Sequence, residues 1–300
     1  MGEGTRMTAE EPVRFGAHRT TVGILTTPQQ PASDVAVILL NAGLIHHVGP
    51  HRLHVRLARA LGGRGIACVR FDFSGIGDSP PRPDNLPIFD MVVKEPCEAM
   101  DELARRGYRR FVLAGICSGA YSAFKASAVD PRVCGAILIN PQDFAGGQGG
   151  ETRAWERRYL TRSIFRARAW INLLTGRVDY ARLARTAWAR VSGRAARTDQ
   201  ELATVRDELR QLIERGSTRI LFIVSEDDVS AEYLELVLGP QGKARDGVDV
   251  EVIAGSDHLF TRMADQARLM DIIGNWTCGL SARAERLATS PIHAKSRMPT

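Results

Sequence analysis

The stretch AGICSGA, residues 114–120, sets a thiol between two glycines, with Gly115 two places before Cys117 and Gly119 two places after it. A turn of that pattern between a strand and a helix is a nucleophile elbow: the small residues let a strained turn pack tightly and hold the nucleophile proud of the backbone. The neighbouring Ser118 fits less well, because Ile116 would then fill the first small position. The spacing selects Cys117, and Ser118 then offers its backbone N–H to an oxyanion hole. A second N–H is expected from the loop in LLNAGLIHH, from Leu44 or Gly43.

A nucleophile of this kind needs a base, and the base needs an orienting carboxylate. The segment RILFIVSEDDVS ends in a carboxylate cluster, and VEVIAGSDHLF ends in His258. Within the cluster Asp228 is selected, three residues beyond Ser225, with Asp227 as the alternative. Asp257, next to His258, reads as a turn or cap residue. Pairing with a histidine lowers a thiol pKa from about 8.5, so the thiolate is present before substrate arrives.

These residues must be positioned by the elements around them. Short β-branched runs alternate with amphipathic stretches: VAVILLN (35–41), a helix from about His51 to Leu61, IACVRFDF (66–73), a helix over FDMVVKEPCEAMDELARRG that Pro96 interrupts or kinks, and RRFVLAGI (109–116). The pattern continues with a helix over GAYSAFKASAV, GAILINP (135–141), RILFIVS (219–225), a short helix near AEYLELVL, VDVEVIAG (248–255) and a last helix through FTRMADQARLMDIIGNWT. Continuous apolar strands with helices between them predict a parallel sheet covered on both faces. From about Gln142 to Gly216 no strand is evident, and Trp155, Trp170 and Trp188 lie among arginines in helix-compatible sequence. That interval is expected to be an inserted helical lid.

The 300 residues, 44% hydrophobic and 25% charged, suit one globular α/β domain with an insertion. Apolar runs such as VAVILL are too short to span a bilayer, so the protein is expected to be cytoplasmic and without membrane contact. Five cysteines without C-x-x-C spacing suggest neither a disulfide framework nor a zinc site. Residues 151–200 hold twelve Arg against four carboxylates, more than the net charge of +6 of the whole chain. Such a segment attracts anions, and Arg162 with Arg166, at i,i+4 on one expected helix face, are candidate substrate contacts. No nucleic-acid-binding motif accompanies it. The stretch HHVGPHRLH brings His46, His47, His51 and His54 together, but no carboxylate or cysteine nearby in sequence completes a metal set. The loop is expected to wall the mouth of the site, with His46 touching substrate.

The elbow GICSGA, the turn FDFSGIGDS, SEDD and DHLF together resemble the α/β-hydrolase superfamily. LLNAGLIHHVGPHRLHVRLARAL and LINPQ are similar to the subgroup of serine-aminopeptidase-like and exosortase-associated hydrolases. The likeness covers roughly residues 20–141 and 217–279. It implies an α/β-hydrolase fold, with a core of residues 13–141 and 217–279 and a helical lid over 142–216; the polar, aperiodic ends, 1–12 and 281–300, are expected to be flexible. It also implies that Cys117, Asp228 and His258 hold the triad positions in the order nucleophile, acid, histidine, while Asp72 and Asp78 belong to a structural DxxGxGxS turn. The thiol itself is similar to that of dienelactone hydrolases and Cys-type thioesterases, and argues against peptidase activity. The expected function is acyl transfer through an acyl-Cys intermediate, as thioesterase, ester or lactone hydrolase or acyltransferase, with no cofactor. Its partner would be a small acyl substrate, free or linked to CoA or a carrier protein. The opposing reading is a catalytically silent binding protein that keeps the fold, since a fold alone does not name a reaction.

Overall fold

The computed structural model describes residues 8–142, 144, 194–226, 228–239 and 246–289. Eight strands form one sheet in the order β1-β2-β4-β3-β5-β6-β7-β8, with β1 at Thr8–Phe15, β2 at Thr21–Pro28, β3 at Val35–Leu40, β4 at Ala67–Phe71, β5 at Arg110–Ile116, β6 at Val133–Ile139, β7 at Arg219–Ser225 and β8 at Val248–Ile253. The pairs β1–β2 and β2–β4 are antiparallel, and the six strands from β4 to β8 run parallel.

Six helices accompany the sheet among the described residues: α1 (Leu53–Gly63, entered through a 3-10 turn at Pro50–Arg52), α2 (Ile88–Arg105), α3 (Ser118–Val129), α4 (Arg194–Glu214), α5 (Val229–Leu238) and α6 (Met263–Thr289). Alternation along a strand sends neighbouring residues to opposite faces. In β3, Ala36, Ile38 and Leu40 join the core under α2 to α5, while Val35, Val37 and Leu39 join the core under α1 and α6. Every residue of β3 is buried, which explains why its sequence is a continuous apolar run and not an alternating one. Helix α2 runs through Pro96 as one element.

Two of the sequence-based boundaries move. The first dozen residues are not a loose end throughout: β1 begins at Thr8 and pairs along its whole length with β2. Its polar composition is that of an edge strand, with Val13 and Phe15 turned into the core and Glu10 held by Arg59 and Arg70. At the other end α6 continues to Thr289, beyond the expected start of a flexible tail at 281.

The third difference concerns the interval 142–216. Leu202, Val205, Leu209 and Leu212 of α4 are buried in the same core as α2, α3 and α5, so α4 is a crossover helix of the sheet and not part of a lid. Its apolar residues recur at three- and four-residue spacing, a pattern that the many charges around them mask in the sequence. Near the start of the interval, Phe144 is buried against Phe124, Phe222 and Tyr233, and its N–H donates to the Tyr233 hydroxyl at 2.7 Å. The remainder of the expected lid, with Arg162 and Arg166, lies outside the described residues. No helix among the described residues is long and apolar enough to cross a membrane.

Candidate active site

Cys117 sits between the end of β5 and the first turn of α3, in the left-handed half of backbone space at φ 57° and ψ −118°. A non-glycine residue there is strained, and the surroundings must hold it. Cys117 N–H donates to Ile139 O at 2.9 Å, tying the elbow to β6. The two flanking glycines are required by close approach: a Cβ on Gly115 would lie 2.1 Å from Gly119 O, and one on Gly119 would lie 2.4 Å from Leu40 O. The half-buried thiol stands at the N-terminus of α3, where unpaired N–H groups and the helix dipole favour negative charge.

His258 and Asp228 arrive on the loops after β8 and β7. His258 Nδ1 lies 2.9 Å from Asp228 Oδ2. The other carboxylate oxygen accepts the N–H of Ser230 at 2.8 Å and so caps α5. Each oxygen of Asp228 therefore has one task. Burial raises the pKa of this carboxyl, but the hydrogen bonds from His258 and Ser230 outweigh it and hold Asp228 below its ordinary value. Burial likewise disfavours the imidazolium, yet Asp228, hydrogen-bonded to the ring, and the neighbouring Cys117 lift His258 to about 10. The structure thus brings Cys117, His258 and Asp228 into one chain of contacts. Asp227 lies outside the described residues. Asp257 turns away and accepts the N–H groups of Leu259 and Thr261, as a turn residue.

On the β3–α1 loop, Gly43 N–H donates to the Ser118 hydroxyl at 2.5 Å. Of the two amides considered for the second oxyanion donor, that of Gly43 is engaged by Ser118, and the Leu44 side chain points into solvent with 83% of its surface exposed. The Ser118 hydroxyl thereby links the two loops whose amides would face an oxyanion.

His46 does not stand free at the mouth. Its Nδ1 accepts the N–H of Val48, and its Nε2 lies 3.2 Å from Asp78 Oδ2 and 3.3 Å from Asp72 Oδ2. His47 donates from its backbone and its Nδ1 to the two oxygens of Asp72. The carboxylates that the local sequence lacked are supplied by the turn after β4, and His46, His47, Asp72 and Asp78 offer ligand atoms within 4.8 Å of one another. Asp72 is fully buried and already accepts from His47, Asp78 N–H and Asn41 Nδ2, which fills the lone pairs a cation would need. The cluster is a staple between two loops. His51 and Arg52 both have positive φ in the 3-10 turn, so the helix expected from about His51 begins at Leu53.

Two residues at the end of β6 went unrecognised in the sequence. Asn140 is fully buried with φ 43°, and its side chain bonds Ser225 and Ser230 on one loop and His258 O on the other. Gln142 reaches both Cys117 and His258. The only sequence signal was the Asn-Pro dipeptide, which marks a turn at the end of a strand that points at the elbow.

The model for the alpha/beta hydrolase family matches residues 37–269, a span that includes Cys117, Asp228 and His258. No curated protein matches the sequence. Among solved structures, proline iminopeptidase from Mycobacterium smegmatis is similar at 16% identity and TM-score 0.56, over 92% of this chain and 100% of that one. A dienelactone hydrolase from Anabaena variabilis is similar at 13% identity and TM-score 0.58, over 91% and 98%. An esterase from Pyrococcus furiosus gives 12% identity and TM-score 0.58, over 89% and 91%. At these identities the structures share the fold and no more. An elbow on β5, a histidine after the last strand, a carboxylate after the strand before it and a family model matched over most of the length lead to one conclusion: the chain belongs to the alpha/beta hydrolase family.

Proposed function

We propose that this hydrolase works by acyl transfer through an acyl-Cys intermediate, with Cys117 as nucleophile, His258 as the base that holds its proton and then as acid in the first half-reaction and base in the second, and Asp228 as the group that orients the imidazole. The observation that carries the reading is the chain Cys117–His258–Asp228 at a strained elbow, with the histidine held at about 10 by its two partners. The Ser118 hydroxyl is taken up by Gly43 N–H on the opposite loop, which supports the thiol over the hydroxyl as attacking group.

In the first half-reaction the Cys117 thiolate adds to the carbonyl carbon of an ester, lactone or thioester. The negative charge on the carbonyl oxygen is met by the N–H groups of Ser118 and Leu44. As the tetrahedral species collapses, the bond to the leaving oxygen or sulfur breaks and the His258 imidazolium gives that atom its proton. In the second half, His258 takes a proton from water or an alcohol, the resulting oxygen nucleophile displaces Cys117, and the thiolate returns. With a thioester donor the first step exchanges one thioester for another and keeps the acyl group activated. Arg162 and Arg166, in the cationic segment, would recognise a donor that carries an anionic phosphopantetheine arm or acidic carrier protein.

Intact-protein mass spectrometry after incubation with activated esters and acyl thioesters tests the reading. The expected result is one acyl adduct, mapped to Cys117 and lost in Cys117→Ala. An adduct on Ser118 would move the nucleophile by one residue, and no adduct and no turnover across the panel would leave a binding protein on a hydrolase fold.

A further inference from the structure

We infer that Gln142 is a fourth catalytic group of this site: its side-chain amide donates an N–H to the Cys117 sulfur and receives the Nδ1–H of His258 on its oxygen, favouring the thiolate. The inference rests on the reading of Cys117 and His258 as the nucleophile and base.

The position of the amide is fixed from beneath. Asn140, two residues earlier, donates from Nδ2 to Ser225 Oγ at 2.9 Å and to His258 O at 2.8 Å, and accepts on Oδ1 from Ser225 N–H at 2.7 Å and Ser230 Oγ at 3.1 Å. Its four side-chain positions are filled. Its backbone N–H donates to Ile223 O at 2.9 Å, and Pro141 restricts the next step of the chain. The loop bearing Gln142 is therefore pinned to the same two loops that carry Asp228 and His258. A side chain on such a loop is held in register with the catalytic groups.

With Oε1 towards Cys117 Sγ (3.9 Å) and Nε2 towards His258 Nδ1 (3.4 Å), the amide sets two donors against each other at the ring. Nδ1 carries the single hydrogen that it gives to Asp228 Oδ2 at 2.9 Å, so it has no lone pair in the ring plane to accept another. A half-turn about the last side-chain bond exchanges oxygen and nitrogen and leaves the other heavy atoms in place. The oxygen then shares the Nδ1 hydrogen with Asp228, and the NH2 group faces the sulfur. A thiol has little use for that donor, whereas a thiolate accepts from it. The titratable groups that act on the His258 ring from the neighbouring loops are Asp228 and Cys117, and the amide is a neutral group in contact with the ring and with Cys117.

The test is the pH dependence of Cys117 alkylation by iodoacetamide, together with the ultraviolet absorbance of the thiolate, in the wild-type protein and in Gln142→Met, Gln142→Glu and His258→Ala. Methionine keeps the length and volume of the side chain, and a role in packing alone would leave its profile unmoved. The expected result is a midpoint raised by about one pH unit in Gln142→Met, tenfold less thiolate at a fixed pH below it, and a larger rise in Gln142→Glu, whose carboxylate repels the thiolate. Thermal denaturation confirms that each variant is folded. A low wild-type midpoint that His258→Ala raises and both Gln142 variants leave in place overturns the role of Gln142 alone. A wild-type midpoint at the ordinary thiol value overturns it together with the Cys117–His258 pair.

Discussion

The substitution Asp228→Asn separates two functions that one side chain performs. Asparagine keeps an oxygen for the N–H of Ser230, so the cap of α5 survives, but it withdraws the charge from His258 Nδ1. An imidazole lifted from 6.5 to about 10 reflects about 5 kcal/mol between its two protonation states at about 1.36 kcal/mol per pH unit. The ring is open to water on one side and Cys117 shares in holding its charge, so about 2 kcal/mol is assigned to Asp228 after solvent screening. The sign follows from each partner. His258 is raised, so its contribution to stability is complete below 6.5 and is lost as pH rises through about 10; Asp228 is lowered, so its contribution is present above 3.8 and is lost as pH falls through its folded value. The wild-type protein should therefore be more stable than Asp228→Asn between about pH 4 and pH 10, and the two should converge outside that window. Turnover of an activated ester should fall by about two to four orders of magnitude, because the amide no longer selects the reactive tautomer. Denaturant melts across pH and steady-state kinetics read the two effects. A variant within threefold of wild type in kcat, or a stability difference that does not vary with pH, would refute the reasoning.

Ser118→Ala removes the acceptor for Gly43 N–H and keeps the Ser118 amide, so acylation of Cys117 should persist with a rate lowered by about tenfold, one neutral hydrogen bond's worth at about 1.4 kcal/mol; complete loss of the adduct would contradict the assignment. Reversal of Arg162 and Arg166 to Glu should raise KM for carrier-linked or CoA-linked donors and leave kcat nearly unchanged, with the wild-type preference for those donors falling as salt is added because exposed charges are screened beyond about 8 Å at physiological ionic strength. Equal salt dependence for neutral and anionic substrates would remove the carrier-linked donor from the proposal.

The parts of this molecule that could be read from its sequence are those whose causes are local. The strained turn needs Gly115 and Gly119 at fixed offsets from Cys117, and both offsets are visible in seven residues. Asp228 follows the mostly apolar RILFIVS and His258 the alternating VDVEVI, two strand patterns visible in the sequence, so their positions at strand ends could be inferred. What escaped was set by contacts across the chain. Asn140 meets Ser225 across 85 positions and His258 across 118, and nothing within Leu-Ile-Asn-Pro-Gln names those partners. The carboxylates facing His46 and His47 lie on a different strand end, at Asp72 and Asp78, so a local search found only histidines. Strand β1 was hidden by its edge position, which leaves half of its residues polar.

The chain is sealed to the core at Phe144, through three aromatic neighbours and the Tyr233 hydroxyl, and it is built into the core again in α4. Both borders of residues 145–193 are thus set by the sheet domain and not by what lies between them. The chain therefore leaves the core and re-enters it at points fixed by the core's own contacts, so a change of sequence between those points would leave the strands, the elbow and the histidine anchored as they are.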